Sequence, residues 1–222
     1  MYNVVILGAG GLGREVYEVF EDTYQNHPDY KFKGFLSDVL NIFDGYEGYP
    51  PLLGTIKDYE VQPNDRFLLA IGDVKGRRKV AESILERGGE FMSLIHPKAK
   101  IFRTAKIGKG VIIFPFAYVG ADAHVGDYCF INLWAACAHD AVLGQFSELA
   151  PYSALSGGAS AGEECFLCIH SIVAPKTHIG SRVIISQGSA TSQTQADDSF
   201  VIGVPGETFK RRSAVSNTEN EV

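Results

Sequence analysis

The segment "INLWAACAHDAVLGQF", residues 131–146, places an imidazole and a carboxylate side by side among small and apolar residues. An imidazole gains and loses a proton near neutral pH, so His139 could act as a general base. A carboxylate bonded to the second ring nitrogen would set the tautomer and stabilise the imidazolium as it forms. Successive side chains of a strand point to opposite faces, so Asp140 reaches this ring only where the backbone turns. The residues alone leave a second interpretation open, in which His139 is a solvent-facing turn residue.

A glycine motif near the start of the chain is the second candidate site. Gly8-x-Gly10-x-x-Gly13 follows a short apolar run and precedes a helical pattern, which is formally the dinucleotide fingerprint. Backbone N–H groups at such a helix N-terminus suit any anion, including a pyrophosphate. Asp38 ends the second predicted strand, where a dehydrogenase would hold a ribose. The motif alone therefore indicates an anion site without naming the ligand.

Four cysteines offer a third kind of chemistry. Cys165-x-x-Cys168 could be half of a zinc site or a redox pair, but no second such motif and no nearby ligand histidines accompany it. Together with Cys129 and Cys137, these residues are predicted to be small, buried, hydrophobic thiols. We predict no metal site.

The composition excludes several classes of protein. A net charge of −6 argues against a nucleic-acid partner, which requires basic surface. Hydrophobic residues at 45% and charged residues at 21% are typical of a globular domain. No apolar run approaches the roughly 18–20 residues that span a bilayer, and "MYNVVILGAGG" lacks the features of a secretory signal. We therefore expect a cytoplasmic protein without a membrane span.

Residues 1–92 alternate strand and helix patterns. "NVVILG", "KFKGFLSD" and "RFLLAIGD" are predicted strands, while "REVYEVFEDTY" and "GRRKVAESILERGG" space apolar residues at helical intervals. Strands that alternate with helices form a parallel sheet covered by those helices. The pattern predicts a small Rossmann-like α/β domain over residues 1–92.

From Ile95 onward the chain repeats every six residues. One position of each hexad is aliphatic or small: Ile95, Ile101, Ile107, Ile113, Val119, Val125, Ile131, Cys137, Leu143, Leu149, Leu155, Ala161, Leu167, Val173, Ile179 and Ile185. The residue four places later is small or β-branched throughout. This is the hexapeptide β-helix repeat, in which the aliphatic residue points into a narrow prism. It predicts a β-solenoid over residues 93–207, followed by a flexible tail over 208–222.

A Rossmann-like half joined to a hexapeptide half resembles the bacterial sugar acyltransferases. The resemblance runs from "VVILGAGGLGRE" through "IGDVKGRRK" to "FVIGVPGE", and it is greatest for the sialic acid O-acetyltransferase and bacillosamine or perosamine N-acetyltransferase family (NeuD/PglD-like). It implies a left-handed parallel β-helix, a homotrimer with active sites between subunits, acetyl-CoA as acyl donor, and a nucleotide-linked amino sugar of bacterial surface-glycan biosynthesis as acceptor. Two alternatives remain: an O-acetyltransferase that acts on a sugar hydroxyl (sialic-acid type), and a non-catalytic hexapeptide scaffold.

The resemblance also implies roles for individual residues. His139 aligns with the catalytic base and Asp140 with the acidic residue that follows it. Substrate contacts are expected from Gly8, Gly10, Gly11, Leu12, Gly13, Asp38, Gly72, Asp73, Arg77 and Asn132. Leu12 replaces a histidine that is frequent in the family, and Glu148 stands where some relatives carry another histidine.

Contacts with coenzyme A in this fold are largely made by the backbone, so they are assigned by position. The candidates are Gly157, Gly158, Cys168, Ile169, Gln187, Gly188 and Pro205. In "GVPGE" the family's Ala-Lys is replaced by Gly206-Glu207, which removes a positive charge. Lys210, Arg211 and Arg212 could supply that charge, or they could belong to a disordered basic tail.

Two other enzyme classes fit the sequence less well. An NAD-dependent oxidoreductase would need a second dinucleotide half and a catalytic domain, and the hexapeptide segment provides neither. Nucleotidyl transfer would need a much longer nucleotide-binding half with a basic phosphate-clamping motif. We therefore predict that NAD is not a cofactor.

Overall fold

The computed structural model describes residues 1–25 and 27–210. The N-terminal part comprises β1 (Tyr2–Leu7), α1 (Gly11–Tyr24), β2 (Tyr30–Leu36), β3 (Leu52–Gly54), β4 (Asp65–Leu69) and α2 (Val74–Glu86). Its four strands form one parallel sheet in the order β3-β2-β1-β4. The predicted strands and helices of this half are therefore confirmed.

The central strand β1 is buried on both faces because a helix covers each of them. Val4 and Ile6 pack in one cluster with residues of α1 such as Phe20. Val5 and Leu7 pack in the opposite cluster with residues of α2. Side chains alternate along a strand, so a continuous apolar run supplies both layers.

Seventeen short strands follow, each two residues long. In chain order they are β5 (Leu94–Ile95), β6 (Lys100–Ile101), β7 (Lys106–Ile107), β8 (Ile112–Ile113), β9 (Tyr118–Val119), β10 (His124–Val125), β11 (Phe130–Ile131), β12 (Ala136–Cys137), β13 (Val142–Leu143), β14 (Glu148–Leu149), β15 (Ala154–Leu155), β16 (Ser160–Ala161), β17 (Phe166–Leu167), β18 (Ile172–Val173), β19 (His178–Ile179), β20 (Ile184–Ile185) and β21 (Ala190–Thr191). Up to β20, each ends on the aliphatic residue of a hexad. Two longer strands, β22 (Ser199–Ile202) and β23 (Glu207–Lys210), close the described chain.

These strands stack into three parallel sheets, which are the faces of a prism. Face one contains β5, β8, β11, β14, β17, β20 and β22, face two β6, β9, β12, β15, β18 and β21, and face three β7, β10, β13, β16 and β19. The aliphatic residues and most of the small ones form one buried cluster along the axis. A Cβ at Gly126 would lie 2.6 Å from the Gln145 nitrogen of the next coil, which shows how closely the coils stack. The predicted β-solenoid is confirmed.

The N-terminal domain covers face one. Ile112 and Phe130 point outward from that face and lie in the same core cluster as Val4 and Phe20 of the α/β domain. Face one is therefore buried within the chain. Within residues 1–25 and 27–210, no domain packs over the side chains that faces two and three direct outward.

Ionic contacts join the two domains. Arg77 of α2 is ion-paired with Glu148 of face one, and Arg78 with Glu163 and Glu164. His96 Nε2 lies 2.6 Å from a carboxylate oxygen of Asp22 on α1, and its Nδ1 accepts a hydrogen bond from the Lys98 backbone. The hydrogen bond from His96 lowers the pKa of Asp22.

The first residues of the predicted tail, 208–210, lie in a strand. Strand β23 pairs antiparallel with β22, with Val201 opposite Thr208. Residues 208–210 therefore extend the sheet of face one by one antiparallel strand, which makes eight strands in all. Arg211 and Arg212, considered above as phosphate contacts, lie outside the described residues, and the side chain of Lys210 is not described either.

Candidate active site

The His139–Asp140 pair lies at a corner of the prism between face two and face three. Corner B, as we name it, comprises residues 120–123, 138–141, 156–159 and 174–177. Asp140 has a φ of 59°, a left-handed conformation that turns its side chain back along the chain. Its Oδ2 lies 2.8 Å from His139 Nδ1. The backbone turn that the pairing requires is therefore present.

This hydrogen bond determines which ring nitrogen can act as a base. An ionised carboxylate only accepts hydrogen bonds, so the proton of a neutral imidazole lies on Nδ1. Nε2 then carries a free lone pair. The two side chains are 67% and 65% exposed in the single chain, so Nε2 is open to a reactant.

Two glycines on the adjacent coils leave the space that His139 occupies. A Cβ at Gly120 would collide with the His139 backbone nitrogen, and a Cβ at Gly157 would lie 2.5 Å from Nε2. Gly158 N donates to the His139 carbonyl at 2.9 Å. Gly157 thus lies directly against the ring of the predicted base.

The glycine motif divides into structural and open positions. A Cβ at Gly8 would lie 2.5 Å from the Ala70 oxygen, and one at Gly13 would collide with the Gly8 carbonyl. Gly10 and Gly11, by contrast, face open space. Gly10 is the N-cap residue of α1 and provides no capping side chain, and the first turn contains no acidic residue. Backbone N–H groups at this end are therefore available to an anion, whereas Leu12 packs against the domain core.

The carboxyl ends of neighbouring strands bring further predicted residues to the same edge of the sheet. Asp38, after β2, is exposed and accepts a hydrogen bond from the Ile56 nitrogen at 3.0 Å. Asp73 caps α2 by accepting from Gly76 N at 2.8 Å, so its carboxylate is already engaged. A cleft of about 250 Å³ separates this end of α2 from the prism; it is lined by Gly72, Asp73, Val74, Lys75, Glu164, Phe166, Arg182 and Ile184.

Two predicted substrate residues are buried in this single chain. Arg77 is 1% exposed; besides the ion pair with Glu148, its Nε donates to the Ile71 carbonyl at 3.0 Å. Burial raises the pKa of Glu148, and the Arg77 charge counteracts that rise. Asn132 is 8% exposed, and its Oδ1 accepts from the Leu133 nitrogen. The ion pair fixes Arg77 at the junction between the domains, whereas the hydrogen bond of Asn132 is local to its own turn.

The other predicted acyl-donor residues lie on a different corner. Corner A, between face one and face two, comprises residues 114–117, 132–135, 150–153, 168–171 and 186–189. Cys168 and Ile169 lie on one coil of corner A, and Gln187 and Gly188 on the next. The loop that carries Pro205 bonds to this end of the prism, since Gly203 N donates to Ser189 Oγ at 3.0 Å. Within one chain, these residues and His139 flank opposite sides of face two.

The four cysteines do not form a second reactive centre. The four thiols are free, and Cys129, Cys137 and Cys165 are buried. Burial raises the pKa of Cys129 and Cys137 to about 12 and that of Cys165 to about 11, which disfavours the nucleophilic thiolate. Among residues 1–25 and 27–210, no group of three or more His, Cys, Asp or Glu side chains could hold a metal ion. In the same described ranges, no helix is long and apolar enough to cross a membrane.

Sequence reasoning missed one feature of corner A. Phe116, Trp134, Tyr152 and His170 occupy the same turn position on successive coils, and their rings are stacked. The signal was present in the sequence, because the residues recur at one coil length. It appears only when the hexads are read in groups of three.

Comparison with known proteins is consistent with this geometry. Residues 3–84 match the family model of the PglD N-terminal domain. Over 195 residues the chain is 29% identical to a GDP-perosamine N-acetyltransferase of Escherichia coli O157:H7, an alignment that covers 82% of this chain and 77% of that protein.

Two solved structures extend the similarity over nearly the whole chain. PerB from Caulobacter crescentus, solved with CoA and GDP-perosamine, has a TM-score of 0.83 at 29% identity and covers 94% of this chain and 98% of its own. The same enzyme has been solved with one histidine replaced by asparagine or by alanine. The acetyltransferase domain of PglB from Neisseria gonorrhoeae, in complex with acetyl coenzyme A, has a TM-score of 0.84 at 27% identity and covers 93% of this chain and 98% of its own.

Proposed function

Because the chain belongs to the PglD/NeuD-like hexapeptide acyltransferases, we propose that it transfers an acetyl group from acetyl-CoA to the amino group of a nucleotide-linked amino sugar. The observation that carries this proposal is the 2.8 Å contact between His139 Nδ1 and Asp140, which leaves Nε2 free as a base. The Escherichia coli relative and the histidine variant of the Caulobacter crescentus enzyme are described as perosamine N-acetyltransferases, which favours an amine over a hydroxyl as acceptor.

His139 acts as the general base of a direct transfer. As the acceptor nitrogen attacks the thioester carbon, a C–N bond forms, the C–S bond breaks, and the thiolate leaves. The proton of the acceptor passes to His139 Nε2 and then to the departing sulfur, so the products are an amide and a free thiol. Asp140 keeps the proton of the resting imidazole on Nδ1 and stabilises the imidazolium during transfer. Gly157 limits the motion of the ring toward the prism.

The N-terminal domain holds the nucleotide part of the acceptor. The uncapped start of α1 at Gly10 and Gly11 provides N–H donors and open space for the pyrophosphate. Asp38 and Gly72 lie at the ends of adjacent strands, where ligands of open parallel sheets bind. Leu12 contributes apolar packing in place of a hydrogen bond, so recognition of the sugar differs here from relatives with a histidine.

The active enzyme is a homotrimer with its sites between subunits. Face two presents small or apolar side chains outward, including Ala136, Ala154 and Ile172, and Ile172 is 43% exposed. A patch of this kind typically marks a protein interface. Packing face two around a threefold axis would bring corner A of one subunit beside corner B of the next. The two sets of predicted acyl-donor residues would then line one groove.

The buried free thiols are typical of a reducing compartment. We therefore place the reaction in the cytoplasm, where it would prepare sugars for bacterial surface glycans.

A thiol-release assay tests the proposal. Purified protein is incubated with acetyl-CoA and a panel of nucleotide-linked amino sugars, with GDP-perosamine first, and the free thiol is titrated. We expect turnover with at least one amino sugar and a loss of about 10²–10⁴-fold in His139→Ala, the range for a general base. Absence of turnover with every acceptor would refute the enzymatic function. Full activity in the variant would refute the role of His139 alone.

A further inference from the structure

Corner A carries an aromatic ladder, the stacked rings of Phe116, Trp134, Tyr152 and His170. Ring centroids are 4.5 Å apart between Phe116 and Trp134 and 6.5 Å apart between Trp134 and Tyr152, with interplanar angles of 13° and 6°. Each face of the Trp134 ring is therefore turned toward a neighbouring ring, yet the residue is 52% exposed. The ladder thus restrains Trp134 and leaves the edge of its ring open.

Corner B is bare at the height of His139. Its side chains on this coil and on the next are, apart from the His139–Asp140 pair, those of Ala138, Ala141, Ser156, Gly157, Gly158 and Ala159. On these two coils the corner offers no apolar side chain larger than a methyl group. The apolar part of an acyl group brought to His139 would therefore remain in water unless another surface covered it.

Trp134 and His139 belong to the same coil, on which they flank β12 at the two edges of face two. In the trimer proposed above, a rotation about an axis parallel to the prisms leaves the height of every residue unchanged. Trp134 of the partner subunit and His139 would then lie at one level. Face two directs Ala136 outward on this coil and Ala154 on the next, so the prisms have room to approach. The exposed rings of one corner would meet the bare surface of the other.

We infer that Trp134 of the partner subunit is the wall against which the acyl group lies at His139, and that this wall restricts the donor to a short acyl chain. The inference rests on the proposed function and on the trimer proposed with it. An apolar ring edge suits the methyl of an acetyl group, whereas a sugar hydroxyl that faced it would lose its hydrogen bonds to water. Because stacked neighbours restrain the ring, a longer chain meets a fixed surface.

Acyl donors of increasing length test this wall. The kcat/KM for acetyl-, propionyl- and butyryl-CoA is measured by thiol release with wild type, Trp134→Gly and Trp134→Phe. Gly188 occupies the same position of a later coil with a φ of 65°, so Trp134→Gly removes the ring at a backbone conformation that glycine tolerates. We expect it to raise the ratio of butyryl to acetyl kcat/KM at least about 10-fold, the lower end of discrimination by one methylene. Trp134→Phe keeps a smaller ring in the ladder and should raise the ratio less.

His170→Gly is the matched control, because it removes a ring of the same ladder two coils above Trp134. Its ratio of butyryl to acetyl kcat/KM should equal that of wild type. A wild-type ratio in both Trp134 variants, or an equal rise of the ratio in His170→Gly, would overturn the inference.

A mixed trimer decides which subunit supplies the ring. The double variant Trp134→Gly/His139→Ala lacks the base, and wild type discriminates against butyryl-CoA, so neither alone should transfer butyryl groups well. Co-expression would place His139 of a wild-type subunit beside corner A of the double variant at about a quarter of the interfaces of randomly assembled trimers. We expect butyryl transfer by the mixture to exceed that of both parents together. Absence of this gain would refute a contribution from the partner subunit.

Should the wild type acylate no acceptor, calorimetric titration with acetyl-CoA and butyryl-CoA separates the two claims. Wild type that binds acetyl-CoA more tightly, with the preference lost in Trp134→Gly, supports the wall without any turnover. No preference in wild type, or an unchanged preference in the variant, contradicts it.

Discussion

Replacing Gly157 by alanine is expected to impair catalysis without destabilising the fold. The added Cβ would lie 2.5 Å from His139 Nε2 and 2.6 Å from Cε1, whereas ordinary contact begins at 3.4 Å. The imidazole must therefore retreat by about 1 Å. Its side chain is 67% exposed, so the ring can move into solvent while the prism stays intact.

The size of the effect follows from that displacement. Misplacing a catalytic group by 1 Å costs on the order of 10²-fold in rate, or about 3 kcal/mol of activation free energy. We expect Gly157→Ala to lower kcat for acetyl transfer by roughly that factor. The melting temperature should change little, because Gly157 does not require a left-handed φ and alanine restricts the unfolded chain.

The assay measures thiol release under saturating acceptor, with kcat and the KM for acetyl-CoA determined separately. The control is the same substitution in a His139→Ala background, where no ring remains to be displaced. There Gly157→Ala should cause no further loss, which is the signature of two coupled residues. A wild-type kcat in the single variant would refute the reasoning, as would a raised KM for acetyl-CoA with kcat unchanged.

Three further substitutions test the remaining parts of the structure. Asp140→Asn keeps the shape but removes the charge and allows the wrong tautomer, so kcat should fall by at least about 10²-fold with an unchanged melting temperature; activity within threefold of wild type would contradict this. Arg77→Leu leaves the Glu148 carboxylate buried without its partner, and urea unfolding at pH 8 should show a loss of about 3–5 kcal/mol. Burial raises the folded-state pKa of Glu148, so the folded variant gains stability as the pH falls toward the pKa of Glu148 in the unfolded chain. The loss of unfolding free energy should therefore be smaller at pH 5 than at pH 8. Equal losses at both pH values would show that Glu148 becomes solvated in the variant. Ile172→Lys brings three like charges together on the proposed threefold axis and should convert trimers to monomers in size-exclusion chromatography with light scattering, with loss of activity; an intact trimer would show that face two is not the interface.

The buried Arg77–Glu148 pair links the two halves of the proposed site. Glu148 belongs to face one of the prism, and Arg77 belongs to the helix that Asp73 caps beside the cleft. The pair therefore couples the position of the sugar-binding edge to the prism. An arrangement that separates the two charges while either stays buried is disfavoured, because that charge would lose both water and its partner. We interpret Arg77 as a positioning residue, which differs from the direct substrate contact implied by the family resemblance.

The sequence by itself determined the architecture of the chain. A period of six places one residue per hexad in the prism axis, and that requirement is local, so Ile131, Cys137 and Leu143 could be placed without knowing the fold around them. The same applies to β1, whose continuous apolar run needs a helix on each face. His139 and Asp140 stood out as adjacent polar residues within this repeat, and their predicted role came from the family resemblance.

Only the tertiary structure decided how these residues meet. The distance between His139 and Gly157 depends on stacking one coil upon the next, and the division of the glycine motif into packed Gly8 and open Gly10 depends on the neighbouring strand β4. The burial of Arg77 depends on which face of the prism the α/β domain covers. These contacts join residues that are far apart in the chain. Their distances follow from tertiary packing, which the hexad pattern by itself does not specify.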